Sequence, residues 1–346
     1  MTVLSVVIAI LGLALLMIVH EGGHYLAARY FGLRVTKFSI GFGPAIYKKQ
    51  PKGSPTVYQI ALIPFLAYVQ IAGMNPFEDT DPKDKGSYAN APVLARIVTI
   101  FGGPLANYLS ASVLFFFALV IGGQDLTTTS IEVMPDSPSE KATMMTGDKI
   151  VEIDGHPIAE WQEIRTHIMT RAGVNTPIVV ERNGTRITLR VTPEGHAEGS
   201  EGRIGVKSVL ENVPISASKA AVLSIKRPPE IVAAVVIDLG KVLSRKVKPD
   251  VMGPVGIVNE ITRSVRSGVS DYLGLLGVLS AYVAGFNLLP FPALDGGRLM
   301  FLGYEAASGK RPNPRVEAHI HAIGLLLLLS LVLFVTVFSD IPRFGN

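Results

Sequence analysis

Near the start of the chain, Val19-His20-Glu21-Gly22-Gly23-His24 sets two imidazoles and a carboxylate at a spacing that lets them act together. On a helix, His20 and His24 stack on one face, four residues apart, with Glu21 one position round from the first. This is the H-E-x-x-H arrangement, in which two imidazole nitrogens hold Zn²⁺ and the glutamate is general base on a water activated there. A catalytic zinc site needs a third protein ligand, and until one is found two histidines capping an ordinary helix remain the lesser alternative. The chain has no cysteine, so disulfides are excluded and the third ligand must be His, Asp or Glu.

A candidate stands far downstream, in Asn287-Leu288-Leu289-Pro290-Phe291-Pro292-Ala293-Leu294-Asp295-Gly296-Gly297-Arg298. Two prolines interrupt an apolar helix and free backbone groups at membrane depth, where they are allowed only beside protein or a wet cavity. Asp295 is then an intramembrane carboxylate, a functional-site candidate by default. With His20 and His24 it would complete three ligands and leave a fourth position to water. The alternative is a helix-capping Asp followed by a Gly-Gly stop.

The elements that must bring these residues together are membrane spans. Of 346 residues 48% are apolar and only 17% charged, below the roughly 25% of soluble domains, and the mean hydropathy is positive. No Lys/Arg run with interleaved aromatics suggests a nucleic-acid surface, so the net charge of +4 reads as topological. Residues 2–19 carry no charge and approach the roughly 20 needed for a span. A signal peptide would need a basic n-region and a small-residue cleavage site, and Met1 to His20 has neither. A rise of about 1.5 Å per residue puts His20 roughly 28 Å along that helix, where charged groups cost on the order of 2.5–3.5 kcal/mol each. Metal binding, worth roughly 10–16 kcal/mol in structural zinc peptides, offsets that cost.

Residues 37–71 read as a β-hairpin around the turn Gln50–Pro55, either dipping towards the site or lying on the cytoplasmic face. A second span follows from Val93 to about Gly122; in it Gly102-Gly103 permits close helix approach, and Asn107 is an interhelical hydrogen bonder or a wall of the substrate cavity. Residues 124–199 form a soluble α+β domain with surface histidines at 156, 167 and 196. Residues 200–250 are a linker with an interfacial amphipathic helix, its apolar core too short to span. Met252–Ile257 reads as a loop, Tyr272–Leu289 as the third span and Ala318–Phe338 as the fourth, with His319 and His321 interfacial and not ligands. Eight Lys/Arg between Arg29 and Lys85 and four between Arg298 and Arg315 place those loops in the cytoplasm, and both termini and the soluble domain outside. His20, His24 and Asp295 then approach the cytoplasmic face from opposite chain directions.

On these motifs the chain resembles the site-2 protease family of intramembrane zinc metalloproteases, in the bacterial branch of regulator of sigma-E proteases. The resemblance rests on His20 to Arg29, Phe38-Ser39-Ile40-Gly41-Phe42-Gly43-Pro44, Gly103-Pro104 with Asn107, Gly253-Pro254, and Asn287 to Gly297. Gly147-Asp148-Lys149-Ile150-Val151-Glu152-Ile153-Asp154-Gly155 resembles a PDZ domain, which binds extended peptides and C-termini at a sheet edge. The family resemblance implies His20, His24 and Asp295 as zinc ligands, Glu21 as base, and Asn287 as a substrate holder. It also implies that the hairpin is a membrane-reentrant loop whose Tyr68 and Val69 pair with the substrate, in a bacterial inner-membrane enzyme. Its substrates would be single-span proteins such as pre-cleaved anti-sigma factors or remnant signal peptides. Two departures stand out: Leu66-Ala67 precedes Tyr68-Val69 where relatives often carry Gly-Gly, and only one PDZ-like domain fits where some relatives have two.

The expected fold is a polytopic α-helical membrane protein with about four transmembrane helices, a membrane-reentrant β-hairpin and one extracytoplasmic PDZ-like domain. Its parts are residues 1–122 and 251–346 as the membrane core, 124–199 as the PDZ-like domain and 200–250 as the connection. Two other classes fit less of the chain. A PDZ-bearing scaffold needs no H-E-x-x-H, and a metal transporter needs more spans, an inverted repeat and no glutamate base.

Overall fold

The computed structural model describes residues 3–75, 77, 81–195, 201–244 and 252–341; His196, Arg245, Lys246 and Arg343 lie outside them. Two compact units result, Met1–Gly122 with Ser216–Asn346, and Gly123–Ile215.

The first unit opens with α1 (Val3–Tyr30), whose uncharged stretch ends at the histidine motif. Strands β1 (Val35–Lys49) and β2 (Val57–Ile71) follow. In place of a plain hairpin they fold into four segments. Val35–Ile40 lies antiparallel to Ala67–Ile71 and Ala45–Lys49 antiparallel to Tyr58–Ala61, while Lys37–Ile40 also lies beside Val57–Ile60 with residue numbers rising together. Gly41 permits the bend: its φ is 93°, and a Cβ there would press on the Ile63 and Ala61 carbonyls. Next comes α2 (Val93–Gly122). It crosses α1 so closely that a Cβ on Gly23 or Gly102 would overlap the other helix's backbone.

The second unit, by itself, is an antiparallel sheet in the order β7-β6-β4-β3-β8. Its members are β3 (Gln124–Val133), β4 (Lys149–Ile153) with the short β5 (His156–Pro157), β6 (Thr176–Arg182), β7 (Thr185–Val191) and β8 (Val206–Val213). Helices α3 (Pro138–Lys141) and α4 (Trp161–Met169) complete it around Ile150, Ile153, Ile164, Ile178, Val180 and Val191. The expected boundary at 199 is corrected here. Residues 206–213, read as linker, pair with β3 from Gln124↔Val213 to Val133↔Val206, so the unit runs to Ile215. Without β8, β3 would present an unpaired edge, and the polar residues that make 206–213 look like linker are a solvent-facing edge strand.

The chain returns to the first unit with α5 (Ala217–Leu243), which starts at a Ser216 cap and continues through Pro228-Pro229. It rests on α2 and the next apolar helix: the Arg227 guanidinium lies 5.5 Å over the Phe115 ring, and Val232 faces Gly285. The expected loop at 252–257 is corrected too, because α6 (Pro254–Ser267) begins inside it with Pro254 in its first turn. The Asp340 carboxylate, from the far end of the chain, accepts the backbone N–H groups of Gly253, Val255 and Gly256 at 2.9, 3.0 and 3.1 Å. A cap supplied from 84 residues or more away leaves no local signal. Then come α7 (Val269–Asn287), α8 (Asp295–Ser308) and α9 (Pro314–Val335), which continues as a π-helical turn through Asp340.

Among the described residues four helices are long and apolar enough to cross a membrane: α1, α2, α7 and α9 with its extension. Buried Arg96 on α2 bonds Glu305 on α8 through both guanidinium nitrogens, one at 3.0 Å. Breaking a buried pair strands a charge, so Glu305→Ala should destabilise the protein by about 3–5 kcal/mol, read by thermal unfolding in detergent. In the second unit burial would raise the Asp148 carboxyl, but Arg182 at 2.7 Å and the Met145 N–H hold it below the usual carboxylate range. That contribution is present above about pH 4 and is lost as pH falls through the lowered native value. Fluorescence of Trp161, the one tryptophan, should report acid unfolding of wild type below about pH 4 and a flatter profile for Asp148→Asn.

Candidate metal centre

One helical turn of α1 places the His20 and His24 rings 4.8 Å apart, both buried. The Nε2 atoms are 3.2 Å from each other, and Asp295 Oδ2 lies 3.2 Å from His20 Nε2 and 3.4 Å from His24 Nε2. Asp295 reaches them because α7 stops at Asn287 and α8 starts at Asp295 itself, in the first turn, where a helix favours negative charge. Gly296 lets that turn approach the loop before it; a Cβ there would overlap the Leu288 and Leu289 carbonyls.

The partners of the other ring nitrogens decide what the cluster needs. His24 Nδ1 is 2.9 Å from the Thr99 carbonyl, which only accepts, so Nδ1 carries the proton and Nε2 of the neutral ring offers a lone pair. His20 Nδ1 is 3.2 Å from the Asn107 amide nitrogen, while Asn107 Oδ1 is buried without a partner. Turning that amide by 180° satisfies both, with His20 Nδ1–H donating to Oδ1 and Nε2 again left as a lone pair. Asp295 Oδ2 is likewise buried without a hydrogen-bond partner. Three lone pairs converge with no hydrogen between them, which repels unless a cation sits there. Tetrahedral ligands about 2.0–2.1 Å from zinc are roughly 3.3 Å apart, so the observed spacings fit.

The remaining candidates fall around the cluster unequally. Glu21 Oε2 accepts the Val69 N–H at 2.9 Å, tying the carboxylate to the hairpin. The Tyr68 hydroxyl accepts from Gln59 Nε2 at 3.3 Å. The Val69 donor, expected to pair with substrate, is thus occupied by Glu21. Asn287 Nδ2 donates to the Val283 carbonyl of its own helix at 3.0 Å, leaving its second N–H and Oδ1 for other partners. Asn107, expected either as an interhelical hydrogen bonder or as a wall of the substrate cavity, is fully buried behind His20, with its amide 3.2 Å from His20 Nδ1 across the α1–α2 crossing. His319 is exposed, but His321, read as interfacial, turns inward and accepts the Ala293 N–H at 2.9 Å. Thr99 was not legible as a site residue, because it acts through its main-chain carbonyl.

The model of peptidase family M50 matches residues 8–331, a range that includes every residue of the cluster. The chain belongs to peptidase family M50. It is 31% identical to a protein of Nostoc sp. assigned as a zinc metalloprotease, over 96% of this chain and 95% of that one. It is 30% identical to one of Rhizobium meliloti with the same assignment, over 93% and 92%. With the zinc metalloprotease RasP of Oceanobacillus iheyensis it shares 27% identity over 98% and 99%. This M50 chain is a zinc metallopeptidase, and His20, His24 and Asp295 lie close enough together to hold one metal ion. A solved PDZ domain, from an SdrC-like protein of Listeria monocytogenes, is similar over 24% of this chain and 86% of that one, at 22% identity and a TM-score of 0.21.

A Cβ on Gly103 would overlap His24 Nε2 and approach His20 Cε1 to 2.9 Å, whereas one on Gly22 meets nothing within 4 Å. Gly103→Ala should weaken zinc affinity on the order of tenfold or more and Gly22→Ala should not, measured by chelator competition and metal analysis.

Proposed function

We propose that this chain is an intramembrane protease that cuts the transmembrane segment of single-span membrane proteins. The observation that carries this reading is the ligand triad of His20, His24 and Asp295, set on and beside helices apolar enough to span a membrane, with Glu21 held at a strand edge next to it. Four apolar helices fit a membrane protein, and the distribution of Lys and Arg supports a bacterial inner-membrane orientation with the active site towards the cytoplasm. The same distribution supports an extracytoplasmic 123–215 unit, where a PDZ-like sheet edge would bind C-termini or admit only trimmed substrates.

A helical substrate cannot be cut as it stands, because its carbonyls are hydrogen-bonded and shielded. Segment Tyr68–Ile71 of β2 lines a cavity of about 610 Å³ with Arg298 and His321 at its wall, and offers an unwound substrate a place to lie extended. Bound zinc supplies Lewis acidity, polarising the scissile carbonyl and easing deprotonation of water. Glu21 takes the water proton and delivers it to the leaving amine, and the Val69 N–H fixes which way its carboxylate faces. Asn287, at the end of α7, has an N–H left to hold substrate backbone. Candidate substrates are anti-sigma factors already trimmed outside, and remnant signal peptides.

Glu21→Gln should keep bound zinc while cleavage falls by about 10²–10⁴-fold, and intact membrane fragments should accumulate in cells carrying the variant. Metal analysis and quantitative proteomics of membrane peptides read the two effects. Undiminished cleavage of a membrane substrate by Glu21→Gln would sink this mechanism.

A further inference from the structure

Of the four apolar helices α9 is the least enclosed, and among its described residues only Gly324 is fully buried. It touches the loop between α7 and α8 at two points one turn apart. At one, a Cβ on Gly324 would overlap Pro292. At the other, three residues earlier, His321 Nδ1 accepts the Ala293 N–H at 2.9 Å. Ala293 has φ 77°, a left-handed conformation that a residue with a Cβ holds only where its surroundings impose it. Asp295 follows two residues later.

We propose that His321 is a positioning residue for the metal centre, holding Ala293 in its left-handed conformation and through it setting Asp295 Oδ2 against His20 and His24. The chemistry is directional. A backbone N–H only donates, so Nδ1 is the bare nitrogen and the proton of the neutral ring sits on Nε2. The ring is held from the side by Phe301, whose centroid is 5.9 Å away. Elsewhere between Leu289 and Leu294 the main chain makes three short-range bonds, Leu289 N–H to the Phe286 carbonyl, Phe291 N–H to the Leu289 carbonyl and Leu294 N–H to the Phe291 carbonyl, and Gly296 and Gly297 pack against the Leu288, Leu289 and Phe291 carbonyls, but the bond that holds Ala293 itself comes from His321. If Ala293 relaxed to an ordinary backbone region, the direction of the chain entering α8 would change. Asp295 would then leave a triad whose members must stay within a few tenths of an ångström. The last span, which supplies no ligand, thereby governs one.

The inference rests on reading His20, His24 and Asp295 as the zinc ligands, and the test separates the two. Zinc affinity by chelator competition and the absorption bands of Co²⁺ in the site are measured on the full chain in detergent. His321→Phe should weaken zinc affinity by about 10–100-fold and alter the cobalt bands. His321→Asn, whose Oδ1 takes the place of Nδ1, should stay within about threefold of wild type, while His321→Gln, whose acceptor falls nearer Nε2, should behave like Phe. Adding Ala293→Gly to His321→Phe should recover most of the lost affinity, because glycine adopts positive φ freely. Wild-type affinity and spectrum in His321→Phe, equal behaviour of Asn and Gln, or no recovery with glycine at 293 would each overturn the proposal. If His321→Phe does not fold, the Asn–Gln contrast decides. A wild-type chain that bound neither metal would overturn the ligand reading itself, whereas metal binding unmoved by His321→Phe overturns only the role of His321.

Discussion

Nε2 of His20, Nε2 of His24 and Oδ2 of Asp295 stand 3.2–3.4 Å apart, buried, with lone pairs facing inward. With both rings neutral and no cation the arrangement is unfavourable, since burial removes the water that would otherwise solvate the lone pairs. With zinc the same geometry becomes strongly stabilising. The neighbouring structure follows from keeping those three atoms at that distance. Gly23 and Gly102 let α1 and α2 cross at backbone contact, Gly103 leaves room for both rings, and Thr99 and Asn107 fix the far nitrogen of each ring. A ligating histidine whose other nitrogen is held by a carbonyl or amide keeps both its tautomer and its orientation.

The proposed third ligand obeys a different constraint. Asp295 sits on neither of the two crossing helices and is delivered by a break between α7 and α8, where Pro290 and Pro292 prevent a continuous helix. A broken helix is flexible unless pinned. Here the pins are tertiary: Arg96 with Glu305 along α8, Gly296 against the Leu288 and Leu289 carbonyls, and the α9 contact at Ala293. Glu21, the proposed general base, follows the same pattern, standing on α1 beside His20 but oriented by a strand from the hairpin. Each working atom thus comes from one element and is aimed by another.

The H-E-x-x-H spacing, the absence of cysteine, the proline-broken L-D-G-G segment and the Lys/Arg parity of the loops made His20, His24 and Asp295 candidates for one site, and the family resemblance singled them out as ligands. A metal site written in local periodicity and ligand chemistry survives any detail of packing. The spans were legible for the same reason, because hydrophobic length is a property of the linear chain. What only the tertiary structure decided is where backbone groups go. That Val69 spends its N–H on Glu21, that Thr99 serves through its carbonyl, that Asp340 caps α6 and that 206–213 is the edge of a sheet depend on partners distant in sequence or on atoms common to every residue. Asn107 and His321 were visible as polar residues in apolar helices, but their partners were not. A side chain's type limits what it can bond, and only the fold determines which of those bonds is within 3 Å.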